Sequence, residues 1–324
     1  MRKFKVVMTR ALLPAAMEKL AESCDIRILG QDESVESPEF LKCLATAEGL
    51  VGNSSIPIDE RLLAAAPQLR VVVQPAVGYD NIDIAACTRR GIPVGNTPGV
   101  LVEATADLTF GLLLCSARRI HEGWDFVRQG KWTAAANLPF GFDLAGKTLG
   151  IVGLGRIGQA VARRAQVFGM TVIYHNRSQR PDEQALGVRY AAFDTLLEQA
   201  DCIIVLSPLS AQTKGMFGRE QFAKMKPSAY FINAARGPIV DTEALTEALT
   251  TNQIAFAAMD VTDPEPIPAD HPLVKLPNVL ITPHIGSATI ETRTSMALLT
   301  VDNLLAGLAK QPLPACVNSE VNYR

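Results

Sequence analysis

Along residues 1–98, short apolar runs alternate with stretches in which apolar side chains return every three or four positions. The first pattern is that of a strand buried on both faces, the second that of an amphipathic helix. Strands are predicted over 4–8, 25–29, 49–52, 69–74 and 92–95, with helices between them over 14–22, 38–47, 59–66 and 84–90. Such alternation implies a parallel sheet covered on both faces. Asn96-Thr97-Pro98-Gly99 breaks the pattern and reads as a hinge.

The helix predicted over 100–118 is apolar around most of its circumference, which suits deep burial or a subunit interface. A second helix follows over 120–128, then a Gly-, Pro- and Ala-rich loop over 131–144. From 148 the alternation resumes. Strands are predicted over 148–154, 171–174, 201–207, 229–234, 254–261 and 279–282. Helices are predicted over 193–198, 219–225 and 242–249, and a long closing helix over 289–308. The class is α/β, with two doubly wound parallel-sheet units.

The turn between the strand at 148–154 and its helix is Gly153-Leu154-Gly155-Arg156-Ile157-Gly158, a G-x-G-x-x-G in the strand–helix–strand context that gives the motif meaning. Gly153 allows the tight turn, Gly155 lets a pyrophosphate approach the backbone, and Gly158 lets the helix pack closely. The free N–H groups at the helix start favour phosphate. Gly169 marks the helix end. An NAD site normally carries Asp or Glu at the end of the second strand. This chain has His175-Asn176-Arg177-Ser178 there. Arg177 can pair with a 2′-phosphate, Ser178 can donate to it, and Arg180 adds charge, so NADP(H) is preferred and NAD(H) stays open.

With 48% hydrophobic and 20% charged residues the chain is that of a globular protein, and at 324 residues it has room for two domains. A net charge of −2 gives no support for a nucleic-acid partner. The six cysteines are scattered without a C-x-x-C, which argues for reduced thiols in a cytoplasmic protein and against a metal site. The basic start, Met1-Arg2-Lys3-Phe4-Lys5, is followed by an apolar run that Arg10 and Pro14 interrupt. Strand then helix fits it better than a signal segment, and no membrane span is expected.

Four further stretches gather polar groups at predicted strand ends, where open parallel sheets bind ligands. Arg236 follows a strand in Asn233-Ala234-Ala235-Arg236-Gly237, and its fork suits a carboxylate or carbonyl oxygen, although many arginines only pair on the surface. Asp260 caps another strand, and Glu265 lies between Pro264 and Pro266 in a stiff loop. His284 ends a short strand beside Gly286, a better context than that of His121, His175 or His271. Gln74-Pro75-Ala76-Val77-Gly78-Tyr79-Asp80 could present the N–H groups of Val77 and Gly78 as an anion nest.

AVGYDNID at 76–83, GLGRIG at 153–158, NAARGPIVD at 233–241, MDVTDPEP at 259–266 and TPHIGSAT at 282–289, in this order over essentially the whole chain, resemble the D-isomer-specific 2-hydroxyacid dehydrogenase family. The likeness is greatest to its glyoxylate/hydroxypyruvate reductase and 2-ketogluconate reductase branch. The resemblance implies a flavodoxin-like substrate domain over 1–98 plus 290–324 and a dinucleotide-binding Rossmann domain over 99–289, with the active-site cleft between them. It implies a catalytic set of Arg236, Glu265 and His284. His284 would donate the proton in reduction, Glu265 would fix its tautomer, and Arg236 would hold the carboxylate and C2 oxygen. Val77 and Gly78 would bind the carboxylate as well.

Its cofactor-binding positions fall on Gly153, Gly155, Arg156, Ile157 and Gly158, then Asn176, Arg177 and Ser178, and then Ala234, Asp260, His284 and Gly286, with Asp260 beside the nicotinamide carboxamide. The implied reaction is reduction of a short 2-ketoacid by hydride transfer to C2, in a homodimer with no nucleic-acid or membrane partner. The loop over 132–142 and the turn over 51–55 are expected to line the remote end of the substrate. A dinucleotide-sensing corepressor on the same fold and an NAD-dependent phosphite dehydrogenase remain as alternatives.

Overall fold

The computed structural model describes residues 2–30, 33–136 and 138–323. In chain order the elements are β1 (Phe4–Met8), α1 (Pro14–Ser23), β2 (Cys24–Ile28), α2 (Pro38–Leu44), β3 (Gly49–Val51), α3 (Glu60–Ala64), β4 (Val71–Val73), α4 (Ile84–Arg89) and β5 (Val94–Gly95). Then come α5 (Val102–Ala117), α6 (Ile120–Arg128), β6 (Thr148–Val152), α7 (Arg156–Val167), β7 (Thr171–His175), β8 (Arg189–Tyr190), α8 (Phe193–Gln199) and β9 (Cys202–Val205). The chain closes with α9 (Arg219–Lys224), β10 (Tyr230–Asn233), α10 (Thr242–Thr250), β11 (Phe256–Met259), β12 (Val279–Ile281) and α11 (Ile290–Leu308).

These form two compact units. One takes the residues up to Leu101 and those from Ser287 onward; the other spans Val102–Gly286. The first holds a five-stranded parallel sheet in the order β2-β1-β3-β4-β5, the flavodoxin-like arrangement. The second holds a seven-stranded parallel sheet, β12-β11-β10-β9-β6-β7-β8. The sequences CIIV, YFIN and FAAM of β9, β10 and β11 are buried at every position, as a sheet covered on both faces requires.

Helix starts follow from short polar side chains. Asp59, Asp83 and Asp241 accept from the N–H of Leu62, Ala86 and Ala244 at 2.8–3.0 Å, each a cap contributing about 1 kcal/mol. The apolar α5 is mostly core: Ala106, Phe110, Leu112, Leu113 and Ala117 are buried. The buried hydroxyls of Thr109 and Ser116 are satisfied within the helix, Thr109 donating to Thr105 O and Ser116 to Leu112 O, both at 2.7 Å.

The structure differs from the sequence-based expectations mainly at element ends. The strand expected over 69–74 keeps three residues as β4, and that over 254–261 keeps four as β11. β8, at the sheet edge, and the 3-10 turns at Gly237–Ile239 and Pro272–Lys275 were not anticipated. Each is too short to show a period. In the 132–142 loop, Trp132 and Phe140 are exposed, and Asn137 lies outside the described residues.

Candidate active site

In the seven-stranded sheet the chain runs outward from β6 through β7 to β8, then returns to start β9 on the other side of β6. The crevice beyond the carboxyl ends of β6 and β9 is therefore the topological switch point, the usual ligand site of such sheets. The glycine turn fills one wall. Gly153 has φ +104°, and a Cβ there would come within 2.5 Å of Ser207 N. Gly158 packs against the Gly153 carbonyl, which an added Cβ would meet at 2.5 Å. At Gly155 an added Cβ meets nothing within 4 Å, so its glycine leaves open space in front of α7. No side chain caps α7, whose first backbone bond is Gln159 N to Gly155 O at 3.0 Å. The preceding N–H groups have no partner within the helix and suit a pyrophosphate. Ser207 Oγ is buried at the end of β9 without a hydrogen-bond partner among the described residues. An open glycine, an uncapped helix and an orphan hydroxyl fit a dinucleotide here.

At the end of β7, Asn176 Oδ1 accepts from Leu154 N at 2.7 Å, tying this strand end to the glycine turn. That bond orients the amide, because only the oxygen can accept. Arg177 and Ser178 are exposed and make no hydrogen bond among the described residues. Arg180 differs from expectation. Its guanidinium is held on both oxygens of Asp182, at 2.8 and 2.7 Å, so its charge is already neutralised. Among these cations, Arg177 is the one available to a 2′-phosphate.

Arg236, Glu265 and His284 come together within this same unit. His284 Nδ1 and Glu265 Oε1 are 2.7 Å apart, and Glu265 Oε2 accepts from Thr262 N at 3.3 Å. Partial burial alone would raise the Glu265 carboxyl. The hydrogen bond and charge of His284, the Thr262 N–H and the Arg236 guanidinium outweigh it, and the group titrates below the usual carboxylate range. Cis peptide bonds precede Pro264 and Pro266 on either side of Glu265.

His284 has φ +53°, a left-handed conformation that costs a non-glycine residue on the order of 1–2 kcal/mol. Asp260 is what holds it there. Buried at the end of β11, its Oδ1 accepts from Thr282 Oγ1 at 2.6 Å and Ile285 N at 2.8 Å. Its Oδ2 accepts from Gly286 N at 2.7 Å. Both oxygens of the residue expected beside the cofactor are thus engaged with the loop that carries His284. A Cβ at Gly286 would sit 3.1 Å from Asp260 Oδ2, which explains the glycine.

Arg236 is positioned from both sides. Asn233, buried at the end of β10, donates from Nδ2 to Arg236 O at 3.0 Å and accepts Ala235 N at 3.1 Å, so Ala234 is held at the strand end between them. A Cβ at Gly237 would fall 1.8 Å from Thr262 O. The Arg236 turn therefore lies directly on the backbone that leads to Glu265. Sequence reasoning gave no role to Ser207, Asn233 or Gly237. The positions of Ser207 and Asn233 at predicted strand ends were the usable signs.

Val77 and Gly78 belong to the other unit, after β4. Their carbonyls are anchored, Val77 O by Asn96 Nδ2 at 2.8 Å and Gly78 O by Gln74 Nε2 at 2.6 Å.

Residues 110–286 match the family model for the D-isomer specific 2-hydroxyacid dehydrogenase NAD binding domain. The chain is 44% identical to the glyoxylate reductase of Korarchaeum cryptofilum, over 98% of this chain and 96% of that one. It is 43% identical to glyoxylate/hydroxypyruvate reductase B of Escherichia fergusonii, over 98% of both. The structure of an NADPH-dependent glyoxylate/hydroxypyruvate reductase from Sinorhizobium meliloti, in complex with NADP and malonate, superposes with a TM-score of 0.90 at 32% identity. That match covers 100% of this chain and 99% of the other. Fold, glycine turn and family match together define an oxidoreductase that works with a nicotinamide dinucleotide. The chain belongs to the D-isomer specific 2-hydroxyacid dehydrogenase family.

Proposed function

We propose that this protein reduces short 2-ketoacids, glyoxylate and hydroxypyruvate foremost, to D-2-hydroxyacids with NADPH. The observation that carries the reading is the 2.7 Å His284–Glu265 contact beside Arg236, in the unit that bears the glycine turn. When bound, the nicotinamide supplies a hydride to C2. Glu265 occupies Nδ1 of His284 and leaves Nε2 to give its proton to the former carbonyl oxygen. Arg236 neutralises the charge that develops on that oxygen and draws in the substrate carboxylate. The N–H groups of Val77 and Gly78 would bind a carboxylate. The reductase names of the relatives support this substrate class.

Arg156, Ile157 and the glycines would hold the pyrophosphate, and Asn176, Arg177 and Ser178 the adenosine end. Ala234, Asp260 and Gly286 would stand at the nicotinamide end. The lack of a carboxylate after β7 favours NADP(H) over NAD(H), in keeping with the NADP bound to the Sinorhizobium meliloti reductase. All six cysteines are unpaired, which suits a reducing compartment such as the cytoplasm.

We also propose a homodimer. α6 has no buried residue, and Ile120, Trp124 and Val127 share one exposed face at 54%, 63% and 47% exposure. An apolar stripe of that kind is normally covered. Light scattering behind a sizing column tests it, since a monomer at micromolar concentration contradicts the reading.

The test of function is steady-state kinetics with NADPH and NADH on glyoxylate, hydroxypyruvate and 2-ketogluconate. The expected result is turnover of the two smaller acids with NADPH favoured. No turnover of any of the three overturns the enzyme reading, and preference for 2-ketogluconate corrects the substrate.

A further inference from the structure

Gln74 follows β4 and is fully buried. Burying a primary amide is costly unless its polar atoms are satisfied, and here they are satisfied by the loops around it. Nε2 donates to Gly78 O at 2.6 Å and to Asn81 Oδ1 at 3.1 Å. Oε1 accepts from Asn81 Nδ2 at 3.0 Å. Asn81 Nδ2 also donates to Asn53 O and Ile56 O, at 2.9 and 2.8 Å. Two loops at the carboxyl ends of β3 and β4 are thereby joined through one pair of facing amides.

The consequence for the turn at 76–79 follows from peptide geometry. Three successive carbonyls are anchored to the fold. Ala76 O accepts from Thr97 N at 2.9 Å, Val77 O from Asn96 Nδ2, and Gly78 O from Gln74 Nε2. In a trans peptide the C=O and the following N–H point opposite ways. The N–H groups of Val77, Gly78 and Tyr79 are therefore turned away from those anchors, and none has a partner among the described residues. Consecutive free N–H groups of this kind form an anion site.

We propose that Gln74 is a positioning residue for substrate: it sets the Val77–Gly78 nest, adds the Tyr79 N–H as a third donor, and locks the nest to the Asn53–Ile56 turn. The inference rests on the carboxylate-binding role given to Val77 and Gly78 above. Gln74→Met keeps the volume and removes both donated bonds. It raises KM for glyoxylate about tenfold, since preorganised donors are lost from the ground state and transition state alike. kcat falls less, and NADPH affinity, read by protein fluorescence, stays unchanged. Asn96→Ala, which frees Val77 O, shows the same split and serves if Gln74→Met folds poorly.

Calorimetric titration with oxalate, a two-carbon dicarboxylate, reads the nest without turnover, and weaker binding by the folded variants is expected. Lower kcat at unchanged KM would mean only a smaller active fraction and overturns the proposal, as does undiminished oxalate binding. A wild type that binds oxalate yet turns over no ketoacid overturns the enzymatic reading and leaves the oxalate comparison to decide this one. A wild type that binds no oxalate overturns the nest itself.

Discussion

Gly237→Ala tests how the site is assembled. The glycine is not there for a left-handed backbone. It is there because the Arg236 turn lies on the chain at Thr262, where an added Cβ would stand 1.8 Å from the carbonyl oxygen and 2.2 Å from its carbon. A carbon needs about 3.3 Å from such an oxygen, so one segment has to retreat by about 1.5 Å. Both segments carry a proposed catalytic group, Arg236 on one side and Glu265, three residues past Thr262, on the other. Overpacking of this kind costs about 1–3 kcal/mol, and displacement of a positioning group by about 1 Å costs on the order of 100-fold in rate. The expected variant is folded, with a lowered Tm and kcat reduced about 100-fold, while NADPH binding is nearly intact. Gly155→Ala is the counterpart. Its Cβ meets no protein atom, so it leaves Tm unchanged and weakens the dinucleotide. Thermal unfolding, fluorescence titration with NADPH and glyoxylate kinetics separate the two. A Gly237→Ala enzyme with wild-type Tm and kcat would refute the reasoning, because the close approach would then be absent.

His284→Ala should lower kcat by about 100-fold or more with little change in NADPH affinity; an equal loss of cofactor binding would make His284 a structural residue. Arg177→Ala should weaken NADPH far more than NADH, and parallel losses would rule out a phosphate role. Glu265→Gln removes the carboxylate partner of His284, so the alkaline limb of the reductive pH–rate profile should move to lower pH; an unmoved limb would mean that the contact does not govern the proton. The Glu265 carboxyl is depressed in the folded protein. Its contribution to stability is thus full above the ordinary pKa and fades as pH falls through the depressed value. The Tm difference between wild type and Glu265→Gln should accordingly persist at neutral pH, begin to shrink only below the ordinary carboxylate pKa of about 4.3, and vanish below the depressed value.

Much of this could be read directly from the order of residues. Apolar runs against three- to four-residue periods marked strands and helices. The G-x-G-x-x-G between β6 and α7 announced the dinucleotide, and the missing acid after β7 spoke to its phosphate. These signals act over a few residues, so they are written locally. Packing set the remainder. That Asp260 holds the His284 loop depends on bonds to residues 22 to 26 positions downstream. The reason for Gly237 is a backbone from another strand end, and Gln74 is tied through Asn81 to a loop 25 to 28 positions before that asparagine. Parallel strands bring their carboxyl ends side by side whatever the intervening helices contain, and only the finished sheet determines which carboxylate meets which N–H.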